Sequence, residues 1–236
     1  MAEELIQSIK KVKKLASLPL QDDRVIGRVE IIMLKFKEEP GIIDKAISRV
    51  IHNTDWPFKL TVFDNRPNPA NTSKIWNKLI SEATCDYVLV MDSDAFIPEK
   101  KTEPCWLTRM MESIEETGVV IPVSSAPGGA HQRVLGPEKY PSAVINKDIW
   151  SGYFFLIKRS MVLDSRADKA PGKFDERFYI YGQDSEWAHR LKKFGGAVMR
   201  KDVFVEHIGG YSFKSDPDRD ADKIHARELF KFLTKN

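Results

Sequence analysis

The residues best suited to chemistry are acidic, and they stand at the ends of apolar runs. Asp92-Ser93-Asp94 follows YVLVM without a break. Ligands of open α/β sheets gather outside the carboxyl ends of the strands, so both carboxylates are expected to project into a cleft and not into the core. Two carboxylates so close repel. A hard divalent cation relieves that repulsion, and Mg²⁺ or Mn²⁺ held by few carboxylates shares its remaining positions with substrate phosphate. Taken alone, the triplet reads more readily as an acidic turn capping the next helix; its neighbours are what favour a metal.

Asp64 ends a second run, FKLTVF, and is followed by Asn65 and Arg66. A carboxylate there can accept a hydrogen bond from the N–H edge of a nucleobase, although Asp-Asn-Arg-Pro is also a good turn sequence. Asp184 stands where a helical period begins, and the helix dipole is expected to favour its ionised form and make it a proton acceptor. Glu186 and Arg190 fit an ordinary i, i+4 surface pair. His207 closes the run VFVEH, where a neutral imidazole can reach a metal, although a lone histidine is more often structural.

Elements of alternating type must deliver these residues. Strands are read at 29 to 36, 58 to 63, 87 to 91 and 119 to 123, each nearly all apolar, as strands covered by helices on both faces require. Helices are expected to open at Pro40, at Thr72, which can act as its cap, and at Pro104. Ile75, Leu79 and Ala83 make the inward stripe of the second, and Gly118 ends the third. Residues 124 to 149 hold three prolines and three glycines and read as one long loop, a length that suits a lid. Beyond it come WSGYFFLIK, a turn near Pro171 and Gly172, a helix from Asp184 to Phe194 stopped by Gly195, a short strand at 203 to 205 and a charged helix near 219 to 234. This alternation predicts an α/β single domain, a mostly parallel central sheet flanked by helices. A helical extension over 1–23, the domain over 24–212 and a charged C-terminal helix or tail over 213–236 are the expected parts.

Composition excludes several classes. The 236 residues are 42% hydrophobic, with five Trp, six Tyr and thirteen Phe, enough to bury about 70% of the surface of the unfolded chain. Thirty-seven basic against 34 acidic residues leave +3, too weak a bias to argue for nucleic acid. Cys85 and Cys105 supply neither a disulfide framework nor a four-cysteine zinc site, and no apolar run approaches the ~20 residues that cross a bilayer. A cytoplasmic location is expected. Ile6, Ile9, Val12 and Leu15 recur at helical spacing among Lys10, Lys11, Lys13 and Lys14, which suits a helix packed on the domain more than one in weak contact with a membrane surface.

Taken in order, Asp64-Asn65, the helix carrying Asn77, YVLVMDSDAFIP, WSGYFFLIKRS, GKFDERFYIYGQDSEWAHRLKKFG and VFVEHIGGYS resemble glycosyltransferases of the GT-A (Rossmann-like) fold, most similar to family 2, from Val29 to Ser212. The resemblance implies metal-dependent transfer of a sugar, with inversion, from a nucleoside diphosphate donor, UDP or GDP, to an acceptor hydroxyl. Mn²⁺ or Mg²⁺ is the implied cofactor. It assigns Asp64, Asn65, Asn77, Asp92, Ser93 and Asp94 to the nucleotide-sugar, and Asp92, Asp94 and His207 to the metal. Asp184 becomes the general base, while Trp150, Gly152 and Glu186 border the acceptor. Two features depart from the family: LKFKEEP stands where a Pro-Thr-Tyr-Asn-like stretch is frequent, and Gln183 replaces the glutamate of a Glu-Asp pair. The rival readings are a haloacid-dehalogenase-type phosphatase, whose D-x-D sits near the domain start, and a non-catalytic sugar- or nucleotide-binding protein on the same scaffold.

Overall fold

Odd and even residues of the first strand, β1 (Val29–Lys35), enter different apolar cores, and that alternation sets the architecture. A computed structural model describes residues 28–35, 41–65, 71–98, 102–126, 132–138, 142–208 and 219–234. The expected N-terminal helix with Ile6, Ile9, Val12 and Leu15, its membrane contact and Pro40 lie outside them.

The remaining strands are β2 (Phe58–Asp64), β3 (Tyr87–Asp92), β4 (Ala95–Phe96), β5 (Val119–Ser124), β6 (Ala143–Asn146), β7 (Phe154–Lys158) and β8 (Ala197–His207). They form one sheet in the order β2-β1-β3-β7-β5-β8-β4, with β6 also paired to β8. The β1–β2, β1–β3 and β5–β8 pairs are parallel, while β7 runs antiparallel between β3 and β5, so β1, β2, β3, β5 and β8 share one direction. This is the expected α/β domain, with a mixed sheet. The helices are α1 (Ile42–Asn53), α2 (Thr72–Glu82), α3 (Trp106–Met111), α4 (Ile114–Thr117), α5 (Ser160–Leu163), α6 (Gln183–Leu191) and α7 (Arg219–Thr234). On one face Ile31, Met33, Leu89 and Met91 pack with Val50 of α1 and Leu107 of α3. On the other, Ile32, Val88 and Val90 pack with Ile75 and Ile80 of α2 and Trp187 of α6. Each such aliphatic side chain contributes about 1.5–3 kcal/mol when fully buried.

Several elements differ from expectation for identifiable reasons. β2 is an edge strand that leaves Lys59, Val62 and Asp64 exposed, as the alternation within FKLTVFD permits. Asn71, not Thr72, caps α2, its side chain accepting the Lys74 N–H at 2.9 Å. Cys105 caps α3, so Pro104 precedes the helix instead of opening it. Gly118, at φ 78°, closes α4, so the one helix expected between Pro104 and Gly118 is two short ones, α3 and α4.

Residues 124–149 are not one loop. Gln132 is buried, its Nε2 donating to the Pro122 carbonyl at 3.2 Å, and Ala143–Asn146 form β6 against β8. The short strand expected at 203 to 205 is an 11-residue strand, β8. Its register against β5 slips where Pro122 pairs with Arg200 and the next residue, Val123, pairs with Phe204. Proline has no N–H for the ladder, and a bulge absorbs the gap. The charged helix α7 packs on the chain: Asp222 Oδ2 accepts the N–H groups of Ile180 and Tyr181 at 3.2 and 3.1 Å, and Ala226 is buried.

Candidate active site

The register of the parallel strands puts Asp64 and Asp92 on one rim, since Lys35 of β1 pairs with Asp64 and Leu34 with Asp92. They are not on neighbouring strands, because β1 lies between. Asp64 is exposed, while Asn65 is buried and its N–H donates to the Lys35 carbonyl at 2.8 Å. After the turn through Ser93, which is also buried, β4 pairs antiparallel with the end of β8, Ala95 opposite His207. The Ile208 N–H donates to the Asp94 carbonyl at 3.2 Å. That two-residue ladder brings the acidic triplet beside the histidine.

Ligand atoms of Asp92, Asp94 and His207 lie within 4.8 Å of one another. His207 Nε2 stands 3.4 Å from Asp94 Oδ1, Nδ1 lies 3.1 Å from the Ala126 carbonyl, and the ring stacks on Tyr153 at 4.3 Å between centroids and 12° between planes. Asp94 is buried, 5% exposed, while Asp92 is half-buried. Burial by itself lowers the His207 pKa, but Asp94, then Asp92 and the Ala126 carbonyl, outweigh it and hold the imidazole above its ordinary value. The same negative field draws a divalent cation. Two carboxylates and one imidazole nitrogen suit Mn²⁺, or Mg²⁺ with water in place of the nitrogen. An Nδ1–H on a backbone carbonyl leaves the Nε2 lone pair for a metal, so the residues present fit the group.

Apart from that group stands the carboxylate of Asp184. Gly182, at φ 83°, turns the chain into α6. Asp184 Oδ2 accepts the Gly152 N–H at 2.7 Å, and Oδ1 accepts the Ser185 N–H at 2.7 Å and its hydroxyl at 3.3 Å. Burial nevertheless pushes this carboxyl up, the opposite of the dipole expectation, because losing water outweighs the donors that surround it. A raised value brings the carboxylate closer to the pH at which a general base works best. Gly152 is required for the approach: a Cβ there would stand 2.7 Å from Asp184 Cβ and 3.0 Å from the Trp76 ring.

Three further expected site residues are bound into the surrounding structure. Trp150 is buried, against Phe155 and Trp187 at 5.2 and 6.3 Å. Asn77 is a clamp between α2 and residues 174–176, exchanging bonds of 2.9 Å with the Phe174 carbonyl and N–H and donating to Glu176 Oε1 at 3.1 Å. Glu186 is buried and held by both arms of Arg190, at 2.6 and 2.8 Å, and Arg190 also donates to the Pro171 and Lys173 carbonyls. The i, i+4 pair exists, but as an interior brace. Sequence reasoning missed Tyr153 and Gln132, whose Oε1 accepts the Ser151 N–H at 2.9 Å. The available signal for Tyr153 was a polar-tipped aromatic at the head of an otherwise apolar strand.

No family model matches the chain, and no curated protein matches it in sequence. Solved structures match its fold. GalNAc-T7, solved with UDP, GalNAc and Mn²⁺, superposes with TM-score 0.54 at 12% identity, over 76% of this chain and 43% of its own. The 1–349 segment of TarS from S. aureus gives TM-score 0.55 at 13% identity, over 88% and 72% of the two chains. A further TarS structure gives 0.52 at 14%, over 86% and 42%. These neighbours are GT-A glycosyltransferases, and the mixed α/β fold of this chain is theirs. The chain spans less than half of GalNAc-T7, and at such identity the likeness establishes fold alone.

Proposed function

We propose that the chain is a metal-dependent glycosyltransferase, moving a sugar from a nucleoside diphosphate donor to an acceptor hydroxyl with inversion at the anomeric carbon. The observation that carries this reading is the meeting of Asp92, Asp94 and His207 at the rim where the parallel strands end, with Asp184 bonded to Gly152, the residue before the Tyr153 that stacks on His207. Mn²⁺ or Mg²⁺ held by those three residues would neutralise charge on the departing diphosphate. Asp64 and Asn65, at the same rim, contact base and ribose. A carboxylate only accepts hydrogen bonds, and uracil and guanine offer a ring N–H where cytosine offers a lone pair, so UDP or GDP is favoured. The neighbour solved with UDP and Mn²⁺ makes these the first pair to test.

Asp184 accepts the proton of the acceptor hydroxyl as its oxygen attacks the anomeric carbon, and releases it to solvent afterwards. The N–H groups of Gly152 and Ser185 keep the carboxylate from turning, so its position is set before the acceptor arrives. The reading places the protein in the cytoplasm, where Cys85 and Cys105, both free and buried, stay reduced. Among the described residues no helix is long and apolar enough to cross a membrane.

The test is a panel of UDP- and GDP-sugars with Mn²⁺, read by thermal shift and by donor hydrolysis with water as acceptor. Mn²⁺-dependent binding and slow release of UDP or GDP are expected. Hydrolysis of simple phosphate esters without donor turnover would instead support the phosphatase, and binding without turnover the non-catalytic protein.

A further inference from the structure

A histidine ligand must aim one nitrogen along one direction, and rotation of the ring about its Cβ–Cγ bond swings that nitrogen away. Two contacts oppose the rotation of His207. The Ala126 carbonyl holds the Nδ1 edge at 3.1 Å, and the ring of Tyr153 lies flat against the imidazole face at 4.3 Å and 12°. Tyr153 cannot easily move aside. It is 3% exposed and packed in the apolar cluster of β1, β3 and β7. Its own carbonyl accepts the Asp92 N–H at 2.8 Å. One residue therefore fixes the backbone of one carboxylate of the group and the ring plane of its imidazole.

We propose that Tyr153 is a positioning residue of the metal group, acting through His207 by stacking. This rests on the metal reading given above. The ring face carries the effect, and the phenol is not a ligand. Burial pushes its pKa up, which keeps the oxygen protonated.

The experiment titrates the purified full chain with Mn²⁺ alone, by electron paramagnetic resonance, and with Mg²⁺ alone, by calorimetry. Tyr153→Phe keeps the stack and should stay within about twofold of the unaltered protein. Tyr153→Leu should weaken Mn²⁺ about tenfold, the low end of what supporting partners of metal ligands contribute. Mg²⁺ should change less than about twofold, because it prefers oxygen and takes water in place of the nitrogen. In a His207→Ala background Tyr153→Leu should cost nothing further. Tyr153→Met, another unstacked side chain, repeats this arm should leucine not fold. Equal losses for both ions, a loss that persists without His207, or unchanged Mn²⁺ affinity in Tyr153→Leu each overturn the proposal. If Asp94→Ala abolishes Mn²⁺ binding while Tyr153→Leu leaves it intact, the metal reading stands and only this inference falls. If the unaltered chain binds neither ion, both fall.

Discussion

Two groups of charges hang from β8, and they are built in opposite ways. Midway along the strand, Arg200 is buried and forks onto Asp202 with two bonds of 2.9 Å, while its other arm reaches Glu112 at 3.1 Å and Ser113 at 3.2 Å. Arg109 adds a bond of 3.2 Å to the Asp202 carbonyl and lies 3.5 Å from its carboxylate. Every carboxylate in that group faces a guanidinium. At the end of the strand, His207 faces both Asp92 and Asp94, two carboxylates with one titratable ring between them. The first group is saturated by guanidinium and lies beside the register slip at Pro122; in the second, two carboxylates and one imidazole stand within 4.8 Å, a set that a cation would complete. Asp184 belongs with the second kind, since its bonds come from neutral N–H and O–H donors. The guanidinium-bound group holds the chain in shape, and the group at the strand end is the one the proposed chemistry would use.

The largest effect that would sharpen this division is on chemistry. Asp184→Asn keeps the shape of the side chain and loses its basicity, so single-turnover sugar transfer should slow by about 10²- to 10⁴-fold with donor affinity unchanged. A variant that transfers at the original rate would remove Asp184 from the reaction. Next, Arg200→Met removes the guanidinium that forks onto Asp202 and should lower stability in urea by about 3 kcal/mol, the low end for breaking a buried pair, because Arg109 stays 3.5 Å from the carboxylate. Mn²⁺ affinity should hold within about twofold, and a large loss would break the separation between the two ends of β8.

Asp94→Asn should show the reverse pattern. Mn²⁺ affinity falls by about ten- to a hundredfold, or ~1.4–2.8 kcal/mol, while the metal-free protein keeps its melting temperature. Losing one of two repelling carboxylates offsets the lost attraction to His207. A metal-free protein that melts much lower would class Asp94 with the scaffold charges.

The smallest effect concerns pH. The carboxyl of Asp184 titrates higher in the folded chain than an ordinary aspartate does, so the folded state binds more protons in between, and stability falls as pH rises through that window. Asp184→Asn removes the penalty. It should melt higher than the unaltered protein at neutral pH by about 2–4 °C, the shift that ~1 kcal/mol produces in a chain of this size. The gap should close below about pH 4, where the aspartate is protonated in both states. A variant that melts lower at pH 7 would show that the Gly152 and Ser185 bonds outweigh the cost of burial.

Much of this arrangement is legible along the chain, and the illegible part has one physical origin. Strands β1, β3 and β5 declare themselves because both of their faces are covered, and the position of Asp92 at a strand end needs only that run to be located. Whatever depends on which elements become neighbours does not show. β1 sits between β2 and β3, so the edge position of β2 is invisible without the sheet order. The raised proton affinity of Asp184 reflects distant segments folding over it, whereas the dipole of its own helix is a local property and was the only one in view. Asn77, Trp150 and Glu186 carry residue types that suit a site, and their contacts with Phe174, Trp187 and Arg190 show only once distant segments are brought together. Tyr153 is the converse case, the residue just before β7, whose proposed role comes from its stack on a histidine of β8.

The two-residue ladder between β4 and β8 bears on how the spacing of the group is kept. Asp94 and His207 are joined through a pair of ordinary β strands, whose separation of about 4.7–4.9 Å is a constant of the peptide backbone and not a product of neighbouring side chains. Lengthening or shortening the segments after Phe96 or after Ile208 leaves that spacing alone. The separation of the two backbones is thus set by the pairing of β4 with β8 and is independent of the length of the adjoining segments, while the aim of the imidazole is left to its own contacts.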